Sequence, residues 1–167
     1  FLHQTHLKVL KVLKQTEVLG SKYHCVVANP PYMGGKGMNP LVAKFAKEKY
    51  PDSKFDLFAM FMERGFDWLL ENGYSAMVTM QSWMFLSSYE KLREKLLSER
   101  MISTMAHLGP RGFDTIGGEV VQTTAFTIQN TATANAKGQY ARLIEGKNEE
   151  EKRVQFISLA KDPSLFH

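Results

Sequence analysis

Apolar and polar positions along this chain fall into blocks whose period switches between that of a helix and that of a buried strand. Residues 4–19 set Leu7, Leu10 and Leu13, with Val9 and Val18, on one stripe and Lys8, Lys11 and Lys14 on the other side, which predicts an amphipathic helix. Gly20 stands where a C-terminal cap belongs. Tyr23 to Ala28 is a short run without polar alternation, as expected of a central parallel strand covered on both faces. It stops at Asn29-Pro30-Pro31-Tyr32, since proline cannot continue a ladder. Residues 33–40 (MGGKGMNP) read as a loop and 41–49 as a short helix before Pro51. Asp56 then heads LFAMFMERGFDWLLEN, a strongly apolar helix expected to turn Leu57, Phe61, Trp68 and Leu69 to the core and to close at Asn72-Gly73. Tyr74 to Met80 is the next expected strand. Ser87-Ser88-Tyr89-Glu90 has the spacing of a capping box, opening a helix through Arg100 with Leu92, Leu96 and Leu97 inward. Ile102 to Leu108 is a third strand. A Gly-rich loop, 109–118, leads to Val120–Gln129, expected to form a hairpin with Gln139–Glu145 across the polar connector 130–138. Residues 147–153 read as a solvated turn and 154–167 as the start of a linker; no internal repeat is present.

Alternating strands and helices imply an α/β fold, a doubly wound Rossmann-like sheet finished by an antiparallel hairpin. About five strands are visible, the first element is a helix in need of something to pack on, and no Gly-rich nucleotide-binding turn occurs upstream. Residues 1–167 are therefore expected to form the C-terminal half of a larger domain, starting at the helix before the Asn-Pro-Pro-Tyr strand.

Composition narrows the class without naming a chemistry. With 44% hydrophobic and 23% charged residues in 167, the chain is neither disordered nor collagen-like. One Cys cannot form an internal disulfide, and the 5 His are scattered without metal-ligand spacing, so neither a secreted scaffold nor a metal site is expected. No apolar run has the length of a membrane span. Lys+Arg 21 against Asp+Glu 17 gives a net charge of +4, a mildly basic balance compatible with nucleic acid. A cytoplasmic protein is expected.

The sharpest chemical signal is Asn29-Pro30-Pro31-Tyr32. Average composition yields this tetrapeptide in a chain of such size about once in a thousand cases or fewer. It also falls at the carboxyl end of a strand, where open α/β sheets bind ligands. Two prolines fix the backbone and remove two amide donors, leaving carbonyl oxygens without a competing N–H. Asn29 adds a neutral amide oxygen, and Tyr32 a flat face on which a planar heterocycle can stack. The four residues suit the holding of an amino group attached to a ring.

These residues resemble the [DNS]-P-P-[YFW] motif of the N6-adenine and N4-cytosine DNA methyltransferases. The text around them, KYHCVVANPPYMGGKGMN and SKFDLFAMFMERGFDWLLENGYSAMVTMQSWMF, is similar to the adenine methyltransferases of BREX phage-defence systems and to fused restriction–modification enzymes, over roughly residues 4–145. The resemblance implies S-adenosylmethionine as methyl donor and double-stranded DNA with a flipped adenine as partner. It gives Asn29 and the Pro30 carbonyl, with Pro31, the target amine, and Tyr32 the flipped base. Asp56, Leu57 and Phe58 match the segment that helps line the cofactor and base pocket; an N-cap Asp and core aromatics explain the same residues. Gln81, Ser82 and Trp83 are expected at a pocket wall, and Phe113, or Val121 in its place, as a second stacking face. Lys36 and Arg111 are candidate phosphate contacts. Gly34-Gly35-Lys36-Gly37 is no P-loop, because its glycine spacing is wrong and no Ser or Thr follows the Lys.

Such enzymes also have an upstream turn for the methionine end of the cofactor, an acidic residue for its ribose, and a downstream DNA-recognition region. All three are expected elsewhere in the same protein, so this chain alone is expected to be inactive. Two alternatives share the motif: a protein-glutamine methyltransferase, whose substrate amide nitrogen is equally planar, and a non-catalytic nucleic-acid-binding module.

Overall fold

The structure, a computed structural model, describes residues 2–113, 121–133 and 136–162. Its elements in chain order are α1 (Leu2–Gly20), β1 (Tyr23–Ala28), α2 (Pro40–Lys49), α3 (Leu57–Asp67), β2 (Leu69–Met80), α4 (Glu90–Glu99), β3 (Met101–Gly109), β4 (Thr123–Gln129), β5 (Gln139–Arg142) and α5 (Glu149–Lys161). The sheet order is β1-β2-β4-β3-β5. β1 runs parallel to β2 and β3 parallel to β5, while β4 is antiparallel to both β2 and β3. Four strands therefore end on one edge of the sheet, and β4 starts there.

The expected hairpin does not form. β4 inserts between β2 and β3, and β5 pairs with β3 instead. Thr123, Thr124, Phe126 and Ile128 are buried, as befits a central strand whose ladder is filled on both sides. The mixed α/β class stands, but the antiparallel member is internal.

One face of the sheet carries the core. Phe58, Met62 and Phe66 of α3 and Leu92 and Leu96 of α4 pack on Met77, Phe126 and Ile128. Each such side chain contributes roughly 1.5–3 kcal/mol by leaving water. The buried stripe of α3 is Phe58, Ala59, Met62, Gly65 and Phe66, not the expected Leu57, Phe61 and Trp68; Phe61 is exposed. Gly65 faces β2 where a Cβ would meet Met77 Cε at 2.7 Å, so a larger residue there would have to displace the end of that side chain. In α4, Leu97 is exposed rather than inward.

The long apolar helix ends earlier than its pattern implies. Leu69 already pairs with Tyr23, and the next register pair is Cys25 with Tyr74, so residues 70–73 bulge out of the ladder. Asn72 takes a left-handed φ of 63° there, and Asn130 ties the bulge by donating to the carbonyls of Leu70 (3.1 Å) and Gly73 (2.8 Å). The capping box is absent too: Ser87–Tyr89 is a 3₁₀ turn, and no side chain caps α4. Burial of Tyr89 against Phe55 and Phe58 sets that turn. Residues 149–161, read as turn and linker, form α5, capped by Asn148 accepting from Glu151 N–H at 2.8 Å. Lys152 anchors it, its buried ammonium donating to the carbonyls of Leu108 and Leu143 at 2.8 Å each.

The opposite face is open. Ala76, Val78, Ala106, Ala125 and Thr127 border a groove of 440 Å³ with Phe156 of α5 at one end. No residue of α1 is buried; its last turn is held by Trp68 Nε1 and Arg64 donating to the Leu19 carbonyl at 2.8 and 3.2 Å. Among the described residues no helix is long and apolar enough to cross a membrane, and no cluster of His, Cys, Asp and Glu is arranged to hold a metal.

Candidate functional site

Asn29 leaves β1 at the edge where the parallel strands end. Its side chain is exposed and makes no hydrogen bond with the described residues, and the Pro30 carbonyl likewise accepts none. The Pro30 ring is buried, which pins the corner; neither proline has an N–H to compete for an acceptor. Tyr32 is half-buried. Its ring meets Phe58 edge-on, with centroids 6.2 Å apart and planes at 87°, and its hydroxyl points to the Val78 carbonyl at 3.4 Å. Burial, with the charge of Asp56 second, pushes its phenol above the ordinary value, so it is a neutral aromatic surface.

Asp56 fixes the backbone that follows the motif. Its Oδ1 accepts from Met33 N–H at 2.9 Å and from Phe58 N–H at 3.2 Å, capping α3 while gripping the chain one residue after Tyr32. Leu57 N–H donates to the Met33 carbonyl at 3.1 Å, and Gly35 N–H to the Phe55 carbonyl at 3.1 Å. Burial raises the Asp56 carboxyl above the usual range, although its backbone amide bonds oppose that. Phe58 is 0% exposed, so it supports Tyr32 and cannot itself line a cofactor surface. Leu57 is half-buried at the start of α3.

Next along the edge comes the 3₁₀ turn Gln81–Met84 at the end of β2. Trp83 is not a pocket wall: it is buried, its Nε1 donating to Thr79 Oγ1 at 3.1 Å and its ring 5.4 Å from Phe126. Gln81 is the better-placed group. Its backbone N–H donates to the Gln122 carbonyl at 2.9 Å, and its side chain joins Gln122 Oε1 to His107 Nε2. Burial, helped by Arg142 and Lys152, holds His107 below the ordinary imidazole value. Exposed Phe85 lies 5.6 Å from the His107 ring. Sequence reasoning missed His107, Gln122 and Phe85; a lone His closing an apolar strand at this edge was the available signal.

The remaining candidates divide. Lys36 is exposed on the turn Gly35–Gly37, close behind the motif. Arg111 and Phe113 follow β3, three strands from β1 or about 14 Å at the usual strand spacing. Phe113 thus follows a strand three places from the one that precedes Tyr32. Val121, just before β4, is one strand nearer. Arg111 holds a left-handed φ of 56° and lies near enough to Lys152 to help depress that ammonium. Most of the Gly-rich loop, 114–120, lies outside the described residues.

This arrangement presents two unengaged oxygens beside a rigid aromatic face. It fits an amine carried on a planar group. Of the segment expected beside the cofactor, Asp56 has Oδ1 committed to the Met33 and Phe58 amides and Phe58 is enclosed, while Leu57 stays half-buried.

Comparison with known proteins shows the family and the fold. A family model described as Eco57I restriction-modification methylase matches residues 3–113. The chain is 54% identical over 151 residues to the adenine-specific methyltransferase BrxX of Escherichia coli O9:H4 (strain HS), covering 90% of the chain and 12% of that protein. It is 45% identical over 163 residues to the adenine-specific methyltransferase PglX of Lacticaseibacillus casei (strain Zhang), covering 98% and 13%. The chain thus spans about an eighth of these relatives. Among solved structures, the DrdV–DNA complex superposes with a TM-score of 0.60 at 15% identity, covering 84% of this chain and 16% of that one, a likeness of fold.

Proposed function

From the premise that this chain belongs to the Eco57I restriction-modification methylase family, we propose that it forms the amine-receiving half of a methyltransferase acting on the exocyclic N6 of adenine in DNA. The observation that carries this reading is the exposed Asn29 beside the Pro30 carbonyl, both without partners among the described residues, with Tyr32 held rigid next to them.

The amine lone pair of adenine is delocalised into the ring, which makes the nitrogen a poor nucleophile. Asn29 Oδ1 and the Pro30 carbonyl accept its two N–H bonds. They draw charge onto the nitrogen and favour the geometry in which it becomes tetrahedral, a preorganised electrostatic contribution. Asn29 is neutral and does not act as a base; the proton leaves after transfer. Tyr32 stacks on the base, which has been swung out of the duplex. S-adenosylmethionine, when bound by the complete protein, supplies a methyl group on a sulfonium. Lys36 is the phosphate contact nearest the motif, and Arg111 one farther along the edge. The relatives' designation as adenine-specific supports adenine over cytosine.

Tritium transfer from labelled S-adenosylmethionine to DNA and to protein, using the full-length protein, tests the reading. Label in DNA, recovered as N6-methyladenine, is the expected result. Label confined to protein glutamine would overturn it.

A further inference from the structure

His107, Gln81 and Gln122 form a relay that crosses three strand ends of the same edge and that the proposed chemistry leaves unused. His107 lies two residues before the end of β3, Gln81 follows β2, and Gln122 precedes β4. The order of atoms is directional. His107 Nε2 faces Gln81 Oε1, and an oxygen can only accept, so the imidazole carries its proton on Nε2. Gln81 Nε2 then donates to Gln122 Oε1, and the backbone bond from Gln81 N–H to the Gln122 carbonyl keeps the two residues in register. At the end of the relay the Gln122 side-chain N–H₂ has no partner among the described residues although the residue is half-buried, and the second N–H of Gln81 Nε2 has none there either. Burial first, then the neighbouring cations Arg142 and Lys152, lower the His107 pKa from the ordinary imidazole value.

β4 lies two strands from β1, about 10 Å at the usual spacing, a span bridged by a purine with a hydrogen bond at each end. We propose that Gln122 donates this N–H to a ring acceptor nitrogen of the base whose amine Asn29 receives, with His107 and Gln81 as positioning residues that set the polarity of the Gln122 amide. The inference rests on the methyltransferase reading and deepens it: a base is accepted when it pairs an amine toward Asn29 with an acceptor toward Gln122, and rejected when it carries N–H at the second place.

The test uses full-length protein and duplexes carrying, at the methylated position, adenine or its 1-deaza, 3-deaza or 7-deaza analogue. Each analogue removes one ring acceptor. The readout is the ratio of affinities for adenine and analogue, in which any general change in DNA binding cancels. Wild type is expected to bind one of the three about tenfold more weakly than adenine. Gln122→Met, and Gln122→Glu, which keeps an oxygen toward Gln81, are expected to bring that ratio near one. His107→Phe frees the two amides to reverse and is expected to lower the ratio part of the way. A wild type indifferent to all three analogues, or a Gln122→Glu protein that keeps the wild-type ratio, would overturn the relay. If methyl transfer to DNA persists in that case, the methyltransferase reading survives; if wild type transfers no methyl group to DNA, both fall.

Discussion

Asp56 ties the Asn-Pro-Pro-Tyr corner to the helix that supports Tyr32, and its removal has a calculable effect. Asp56→Ala deletes the acceptor for Phe58 N–H, a helix N-cap lost at about 1 kcal/mol. It also deletes the acceptor for Met33 N–H, about 1–2 kcal/mol for an amide that partly reaches water. Together the change opens the segment by about 2–3 kcal/mol, so amides across 30–40 and 56–60 are expected to exchange with deuterium roughly 30 to 150 times faster. Asp56→Asn separates acceptor from charge. Burial raises the wild-type carboxyl, so the folded protein binds that proton more tightly than the unfolded chain, and stability falls as pH rises from the unfolded pKa through the folded one. Asparagine keeps an acceptor and has no such slope. Its exchange at neutral pH is expected within about threefold of wild type. Mass-spectrometric exchange on the full-length protein reads both variants. An Asp56→Asn protein as open as Asp56→Ala, or an Asp56→Ala protein with unchanged exchange, would refute the clamp.

Two further expectations follow from the same corner. Phe58→Ala empties a fully enclosed site beneath Tyr32 and is expected to cost about 3–5 kcal/mol in denaturant unfolding; a cost below 1 kcal/mol would show that Phe58 is not the support. Burial, with Asp56 second, pushes the Tyr89 phenol up to about 12, against a small opposing hydrogen bond from Ser82. A raised folded pKa means its contribution is intact below the unfolded value and lost as pH climbs from about 10 through about 12. The unfolding midpoint of Tyr89→Phe is therefore expected to fall less steeply over that range, and an identical fall would remove Tyr89 as the cause.

The motif was legible because its information is local: proline chemistry, a neutral amide and an aromatic at a strand end need no distant partner to be recognised. β1, α2 and the identity of the sheet edge follow from such signals, but β1 is the outermost strand with Val27 exposed, not the central strand covered on both faces that its apolar run led one to expect. The boundary between α3 and β2 did not, because Leu69 and Leu70 continue a helical apolar pattern and only pairing with Tyr23 on another strand pulls Leu69 into the sheet. The placement of β4 was equally hidden. Alternation shows that a strand has two faces but not which strands flank it, and adjacency in sequence favoured a hairpin that β3 interrupts. In the site, Trp83 and Phe58 turned out to be interior supports. Gln81 was expected at this edge, but its partner Gln122 emerged only in three dimensions, since 41 residues separate the two side chains that share a hydrogen bond.

The most direct measurement is single-molecule sequencing of DNA from cells carrying the full-length gene, intact or with Asn29→Ala, alongside a check that the variant protein is folded. Loss of the N6-methyladenine signal in a folded Asn29→Ala protein is the expected result. A signal that persists at the wild-type level would contradict the role given to Asn29 and, with it, the chemistry assigned to this edge.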